Sequence, residues 1–283
     1  MRYLRTAAQA VSESQPGRAE LLGLNLEGPF VNRLRSGALP PTWPLLPDRR
    51  MLDGLLQAAG DKLRLMTIAP ELGGAGQIIR TCLQREVAIS LGHSDAGYQD
   101  AAAAFAAGAS HVTHAFNAMR PYHHRHPGII GAALEAEGTT IEVIADGVHL
   151  HPATLRMMFQ AFGLERIALV TDGVAPAGLE AGSFRTGDEE ARLEGGRVLL
   201  ADGTIAGSAA TMDAVVRNVV GWRIASLADV VRMASTVPAR VAGVGGRKGR
   251  LAAGYDADVV ALSGGLEVAA TWTRGVRTSS VDA

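Results

Sequence analysis

Residues 87–114 read VAISLGHSDAGYQDAAAAFAAGASHVTH. An apolar run from Val87 to Leu91 passes into Gly92-His93-Ser94, and an alanine-rich stretch from Gly97 to Ala107 follows, closed by Gly108. A second short apolar run then ends at His114. Alanine is the best helix former and glycine ends helices, so the segment reads as strand, helix, strand. Two strands joined by a helix lie parallel in one sheet, which puts His93 and His114 at corresponding ends of adjacent strands.

The same pattern extends outward in both directions. LLGLNLEGPF (21–30) fits a buried parallel strand that ends at Glu27 before Gly28-Pro29. LRLMTIAPE (63–71), IEVIADGVH (141–149) and IALVTDG (167–173) complete six strand candidates alternating with helices. Each finishes on polar groups: Glu27, Glu71, His93, His114, Asp146 with His149, and Asp172. In a (β/α) barrel the carboxyl ends of several strands supply the catalytic groups, so residues distant in sequence converge.

The flanking segments are read in the same way. Arg2 to Val11 reads as a helix stopped by Gln15-Pro16-Gly17, and the proline-rich 31–48 reads as a long active-site loop. Beyond Asp172 come a turn-rich, hairpin-like segment, Gly203 to Ser208, and a helix from about Met212. Leu227 to Val241 is a helix that Pro238 should interrupt, and the tail reads as short strands outside the barrel.

Composition excludes several function classes. With 27 Lys and Arg against 28 Asp and Glu, no global field favours nucleic acid or a membrane surface, so any anion site is local. Cys82 is the only cysteine, which excludes an internal disulfide and suits a reducing compartment. The first residues hold no uninterrupted apolar core of a secretory signal, and no run approaches the roughly 20 apolar residues of a membrane span. The expectation is a soluble cytoplasmic protein.

A hydrolytic metal centre takes a few nitrogen and oxygen ligands and leaves one position for water; zinc and related divalent ions suit the set Glu27, His93 and His114. Each also has a plainer reading, Glu27 as the cap of the next turn and His93 as a backbone partner. Bound water needs a proton acceptor that later protonates the leaving amine, and Asp172 is the choice, against its use as a helix cap. Asp146 and Glu71 fit turn geometry as well as chemistry. Arg125, His149 and the backbone at Asn117 and Ala118 suit an anion. Arg125 stands among His123, His124 and His126, which equally describes a solvated basic patch.

Taken together, LEGPF, TIAPE, GHSDA, THAFNAM with Arg125 and Pro127-Gly128, IADGVHLHP, LVTDG, GTIAGS and the closing DADVVAL resemble the N-acetylglucosamine-6-phosphate deacetylase family of the amidohydrolase superfamily. The motifs stand in the family's order along essentially the whole chain. The resemblance implies that Glu27, His93 and His114 bind a divalent metal, zinc or iron, and that Asp172 acts as general base and then acid. It implies that Asn117, Ala118, Arg125 and His149 contact the sugar phosphate, and that Ile205, Ala206 and Gly207 line the sugar pocket. The implied reaction releases acetate from N-acetylglucosamine 6-phosphate, in a homodimer whose Arg125 serves a neighbouring subunit's site. N-acetylgalactosamine 6-phosphate is the alternative substrate.

Three departures accompany the likeness. Leu39 stands where the family carries a histidine that polarises the acetyl carbonyl, a loss worth on the order of 100-fold in rate by analogy with oxyanion donors. Asn25 replaces a histidine before the Leu-Glu-Gly-Pro motif. Glu27's strand is the family's third, so the expected fold is α/β: an incomplete TIM-like (β/α) barrel lacking its first two strands over residues 1–245, with carboxyl-terminal strands of a small β-sandwich over 246–283. The alternative reading is a catalytically impaired member that binds sugar phosphate or a partner.

Overall fold

In the computed structural model, which describes residues 1–13, 17–175, 177–179, 181–186 and 189–280, six strands succeed one another. They are β1 (Leu24–Glu27), β2 (Leu63–Ile68), β3 (Ala88–Leu91), β4 (His111–Val112), β5 (Thr140–Ile144) and β6 (Ile167–Val170). They pair in sequence order, every pair parallel, as one open sheet with β1 and β6 at its edges. All six expected strands are present, and the incomplete TIM-like barrel is the architecture observed. The sheet is apolar because helices cover it: Met66, Ile68, Ile89, Leu91, Ile141, Val143 and Ile144 are fully buried.

The covering helices bury one stripe each. In α1 (Arg2–Ser12) no residue is fully buried, whereas α2 (Arg49–Ala59) buries Leu52, Leu55, Leu56 and Ala59, the spacing of one helical face. Asp48 caps α2 by accepting from Met51 N–H at 2.7 Å. The next helices are α3 (Ala75–Gln84), α4 (Tyr98–Ala106), α5 (Gly128–Glu135) and α6 (Pro152–Phe162). Helix α4 is the alanine-rich segment, and Asp100 in its first turn accepts from the Gly97 N–H. In α6, Pro152 occupies the first turn, where its missing N–H costs nothing, and Leu155, Met158, Phe159 and Phe162 face the core. The expected stop at Gln15-Pro16 lies outside the described residues.

After β6 the chain builds a four-stranded antiparallel sheet: β7 (Gly182–Thr186), β8 (Glu189–Glu194), β9 (Arg197–Leu200) and β10 (Ile205–Ser208), in the order β10-β9-β8-β7. Only a hairpin-like segment is expected here from the sequence. The missed signals are Gly195-Gly196, both left-handed and joining the paired Glu194 and Arg197, and alternation along β8, where Ala191 and Leu193 are buried. Ala191, Leu193, Val198, Leu200 and Ala206 form a separate small core against which Ala38 and Val174 pack.

Helix α7 (Met212–Gly221) begins where expected. The 227–241 helix is continuous but changes pitch: α8 (Leu227–Val231) passes through a π-helical turn, Arg232–Thr236, into α9 (Val237–Val241). Pro238 has no N–H and crowds the carbonyl four residues back, and the wider turn accommodates both. The tail forms β11 (Val259–Leu262), β12 (Val268–Thr273) and β13 (Val276–Ser280), an antiparallel three-stranded sheet. Glu20, just before β1, fastens it by accepting from Arg247, Lys248 and Arg274 at 2.6–2.8 Å.

Phe30, fully buried directly after the Gly28-Pro29 turn, anchors the loop that follows β1, and its carbonyl accepts from Ala69 N–H at 2.9 Å. Phe30→Ala should lower the free energy of unfolding by ~3–5 kcal/mol. Urea titration should show a lower midpoint with unchanged slope.

Candidate metal centre

The carboxyl ends of β1, β3 and β4 bring Glu27, His93 and His114 together. His93 Nε2 lies 2.5 Å from Glu27 Oε1 and 3.0 Å from His114 Nε2, and His114 Nε2 lies 3.0 Å from the same oxygen. The two rings meet edge to face with centroids 4.8 Å apart. Both imidazoles are buried, while Glu27 keeps a third of its side chain accessible.

His93 Nδ1 lies 2.8 Å from the Arg35 carbonyl, which can only accept, so Nδ1 carries a proton. In neutral His93 the Nε2 is therefore a bare lone pair aimed at a carboxylate and at a second imidazole nitrogen. One proton can satisfy only one edge of such a triangle, whereas one cation satisfies all three corners. Two imidazoles and a carboxylate, with a histidine steered by a backbone carbonyl, are a donor set that fits a divalent ion.

The backbone at this rim is strained. His93, His114, Phe116, Ala118 and Asp172 all have positive φ, between 28° and 72°, a region non-glycine residues rarely occupy. Neighbouring groups hold each turn. Asn32 N–H donates to the His93 carbonyl at 2.8 Å, and Glu142, buried in β5, accepts from His114 N–H at 3.3 Å. Ser94 N–H donates to the Ala118 carbonyl at 3.2 Å, and Arg120 N–H donates to the Ser94 carbonyl at 2.9 Å. Gly92 must be glycine because a Cβ there would stand 2.7 Å from Thr113 Cβ. Beneath the trio, Thr67, Ser90 and Thr113 join buried hydroxyls at 2.5 and 2.9 Å.

The remaining strand-end acids divide into two kinds. Glu71 is a brace: it accepts from Asn32 Nδ2, Ser94 Oγ and Asp95 N–H, tying the loops after β1 and β3. Asp95 in turn accepts from Arg35 and Arg120, which fixes the Arg35 carbonyl on His93. Asp146 holds His149, whose Nδ1 donates to Oδ2 at 2.7 Å, so that in the neutral ring Nε2 is left as an acceptor. Asp172 makes no such fixed bond among the described residues. Burial, then the charge of Glu27, pushes its carboxyl up, and the imidazoles of His114, His149 and His93 pull it back. Glu142 is lifted to about 7, chiefly by burial.

The structure therefore brings Glu27, His93, His114, Asp172 and His149 to one rim. Gly207 approaches them too, since a Cβ on it would lie 3.0 Å from the Asp172 carbonyl; Ala206 is buried beside it and Ile205 is exposed. Asn117 turns its side-chain N–H groups onto the carbonyls of His114 and Ala115, so its amide shapes the turn. Arg125 is not brought in: it sits on an exposed turn closed by His126 N–H on the His123 carbonyl, and no contact joins it to the trio. Leu39 is half-buried in the loop over His93, where a Cβ on Gly37 would lie 3.7 Å from the ring's Cε1. Sequence reasoning missed Arg35, which acts through its backbone and so leaves no side-chain signal, and gave Asp95 and Glu142 no role.

A model of the amidohydrolase family matches residues 56–278. An N-acetylglucosamine-6-phosphate deacetylase of Bacillus subtilis is 39% identical over 267 residues, which cover 94% of this chain and 67% of that protein. An N-acetylgalactosamine-6-phosphate deacetylase of Escherichia coli is 41% identical over 272 residues, 96% of this chain and 72% of that one. A solved structure of a mutant N-acetyl-D-glucosamine-6-phosphate deacetylase of Mycobacterium smegmatis, in complex with N-acetyl-D-glucosamine-6-phosphate, superposes with a TM-score of 0.92 at 36% identity, over 99% of this chain and 73% of that one.

Charge at the trio yields a pH prediction. Burial alone would push His114 down, but the hydrogen bond to Glu27 and the charges of Glu27, Asp172 and Glu142 outweigh it and lift the imidazole to about 9. The two imidazoles in turn hold Glu27 well below the carboxylate range against its own burial. Because the folded value of His114 is raised, its stabilisation is fully present below the ordinary value of 6.5 and is lost as pH rises through about 9. Chelator-treated protein should therefore melt at falling temperature across that window. Zinc-treated protein should show the opposite slope, since protons and metal compete for the same lone pairs. Parallel melting curves would refute a shared site.

Proposed function

We propose, from the premise that this chain belongs to the amidohydrolase family and within it to the N-acetylglucosamine-6-phosphate deacetylases, that it hydrolyses the acetamide of N-acetylglucosamine 6-phosphate to glucosamine 6-phosphate and acetate. The single observation that carries this is the convergence of Glu27, His93 and His114 on one point, with Asp172 at the same rim. Glu27, His93 and His114 would hold a divalent ion, zinc or iron. When bound, that ion supplies Lewis-acid polarisation of a carbonyl and lowers the pKa of water.

The protein's own groups do the rest. Asp172 takes a proton from the attacking water and returns it to the leaving amine nitrogen. A buried carboxyl lifted above its usual range suits both halves of that task. His149, with Nδ1 committed to Asp146, offers Nε2 as an acceptor to a sugar hydroxyl. In the Asn117-Ala118 turn, with positive φ at Phe116 and Ala118, the Asn117 N–H is committed to the His114 carbonyl at 3.0 Å, and the Ala118 N–H is the group presented to the phosphate. Ile205, Ala206 and Gly207 lie along the sugar. The exposure of Arg125, away from its own trio, favours its service to a neighbouring subunit's phosphate in a homodimer.

Leu39 carries no hydrogen-bond donor on its side chain, so it cannot polarise the acetyl carbonyl. This residue is the observation that favours the second reading, a member that binds sugar phosphate with impaired turnover. The galactosamine epimer is the alternative substrate, given 41% identity to a deacetylase of that sugar. Residues 1–245 form the hydrolase unit and 246–283 belong to a small β-sandwich. No helix of the described residues is long and apolar enough to cross a membrane. A phosphorylated sugar substrate is consistent with a cytoplasmic enzyme.

Asp172→Asn should retain metal, measured by elemental analysis, and lose ~10²–10⁴-fold in acetate release. A retained rate would exclude it as proton carrier. Arg125→Ala should raise KM at least about tenfold by removing a charge-assisted phosphate contact, with kcat less affected. An unchanged KM would remove Arg125 from the phosphate site, and stoichiometric metal in a wild-type chain without turnover would favour the impaired reading.

A further inference from the structure

We propose that Ser208 is a positioning residue shared by the two polar arms of the site: its backbone pins the turn that carries Asp172, and its hydroxyl, through Asp146, sets the ring of His149. The inference rests on the reading of Asp172 as proton carrier and His149 as sugar contact.

Ser208 ends β10 and is 1% exposed. Its N–H donates to the Asp172 carbonyl at 2.9 Å, and its carbonyl accepts from Val174 N–H at 3.1 Å. The two bonds form a parallel bridge that brackets Gly173. They clasp the residues on both sides of the strained turn, where Asp172 has φ 50°. Gly207 makes the approach possible: its φ is 117°, and a Cβ there would stand 2.7 Å from Val174 Cγ1 and 3.0 Å from the Asp172 carbonyl. The requirement for glycine at 207 is thus steric before it is a matter of sugar contact.

The side chain works in the other direction. Ser208 Oγ accepts from Ala210 N–H at 3.0 Å, which directs its single proton to Asp146 Oδ2 at 3.1 Å. Asp146 accepts four bonds in all, the others coming from Val148 N–H, His149 N–H and His149 Nδ1. A carboxylate can only accept, so this arrangement fixes the tautomer of His149 and the direction of Nε2. The strand that carries Ile205 and Ala206 is thereby tied at its last residue to both groups. No other described residue bonds to the Asp172 backbone and to the Asp146 carboxylate.

The test uses the full chain with histidine labelled at nitrogen. Wild-type protein should give a His149 signal of the Nδ1–H tautomer with a slowly exchanging, downfield proton. Ser208→Ala should keep its metal, lose that proton to exchange, and raise KM for N-acetylglucosamine 6-phosphate ~10-fold while kcat changes much less, the effect of one hydrogen bond to a charged group. Ser208→Thr, which keeps the hydroxyl, should restore both signals. A Ser208→Ala protein with the wild-type His149 proton and KM overturns the proposal. Should that variant fail to fold, Ser208→Cys, of similar volume and far weaker as a donor, is read by the same spectrum. A chain inactive in every form would overturn the deacetylase reading alone, because the histidine spectrum needs no substrate and still decides the positioning.

Discussion

Two imidazole nitrogens and a carboxylate oxygen crowded onto one point, where one proton can satisfy only one of the three edges, are the constraint on which this structure depends. Glu27 Oε1, His93 Nε2 and His114 Nε2 stand within 3.0 Å of one another in a largely buried setting. Left free, the side chains would turn apart toward water or other donors. The scaffold denies them that freedom by fixing the strand ends in conformations with positive φ, each worth of order 1–3 kcal/mol of strain. The parallel sheet and its helical cover supply the burial that offsets this cost.

Carboxylates do most of the bracing, which separates the acids of the site into two kinds. Glu71, Asp95 and Asp146 have their oxygens filled by backbone N–H groups, side-chain amides, arginines, hydroxyls or an imidazole and hold loops in place, while Glu142 accepts the single His114 N–H. Glu27 and Asp172 face the rim instead. The arginines show the same division: Arg35 acts on His93 by its carbonyl while its guanidinium only secures the loop. Chemistry at the rim therefore rests on polar groups one layer behind it.

The fold was legible because apolar runs and an alanine-rich helix repeat with one grammar, and the ends of β1, β3 and β4 carry residue types that leave few other uses once brought together. What escaped reading lacks such marks. The β7–β10 sheet is partly charged on its exposed face, and only the Gly195-Gly196 turn and the alternation along β8 betray it. Brace and ligand are written in the same letters, so Glu71 and Glu27 differ only in what the folded loops bring to them. Asn117 and Arg125 were read from motif and charge. The structure gives the first a turn to hold and leaves the second exposed, where distance from the trio is a property of tertiary packing.

The small sheet after β6 has a mechanical meaning. Its core takes in Ala38, from the loop that passes over His93, and Val174, two residues beyond Asp172. The roof of the pocket and the turn bearing the acid thus rest on one apolar pad, like two fingers on a single lever. A substitution that loosens the packing of Ala191, Leu193 and Val198 therefore loosens both contacts, so the small core couples the loop over His93 to the turn of the acid.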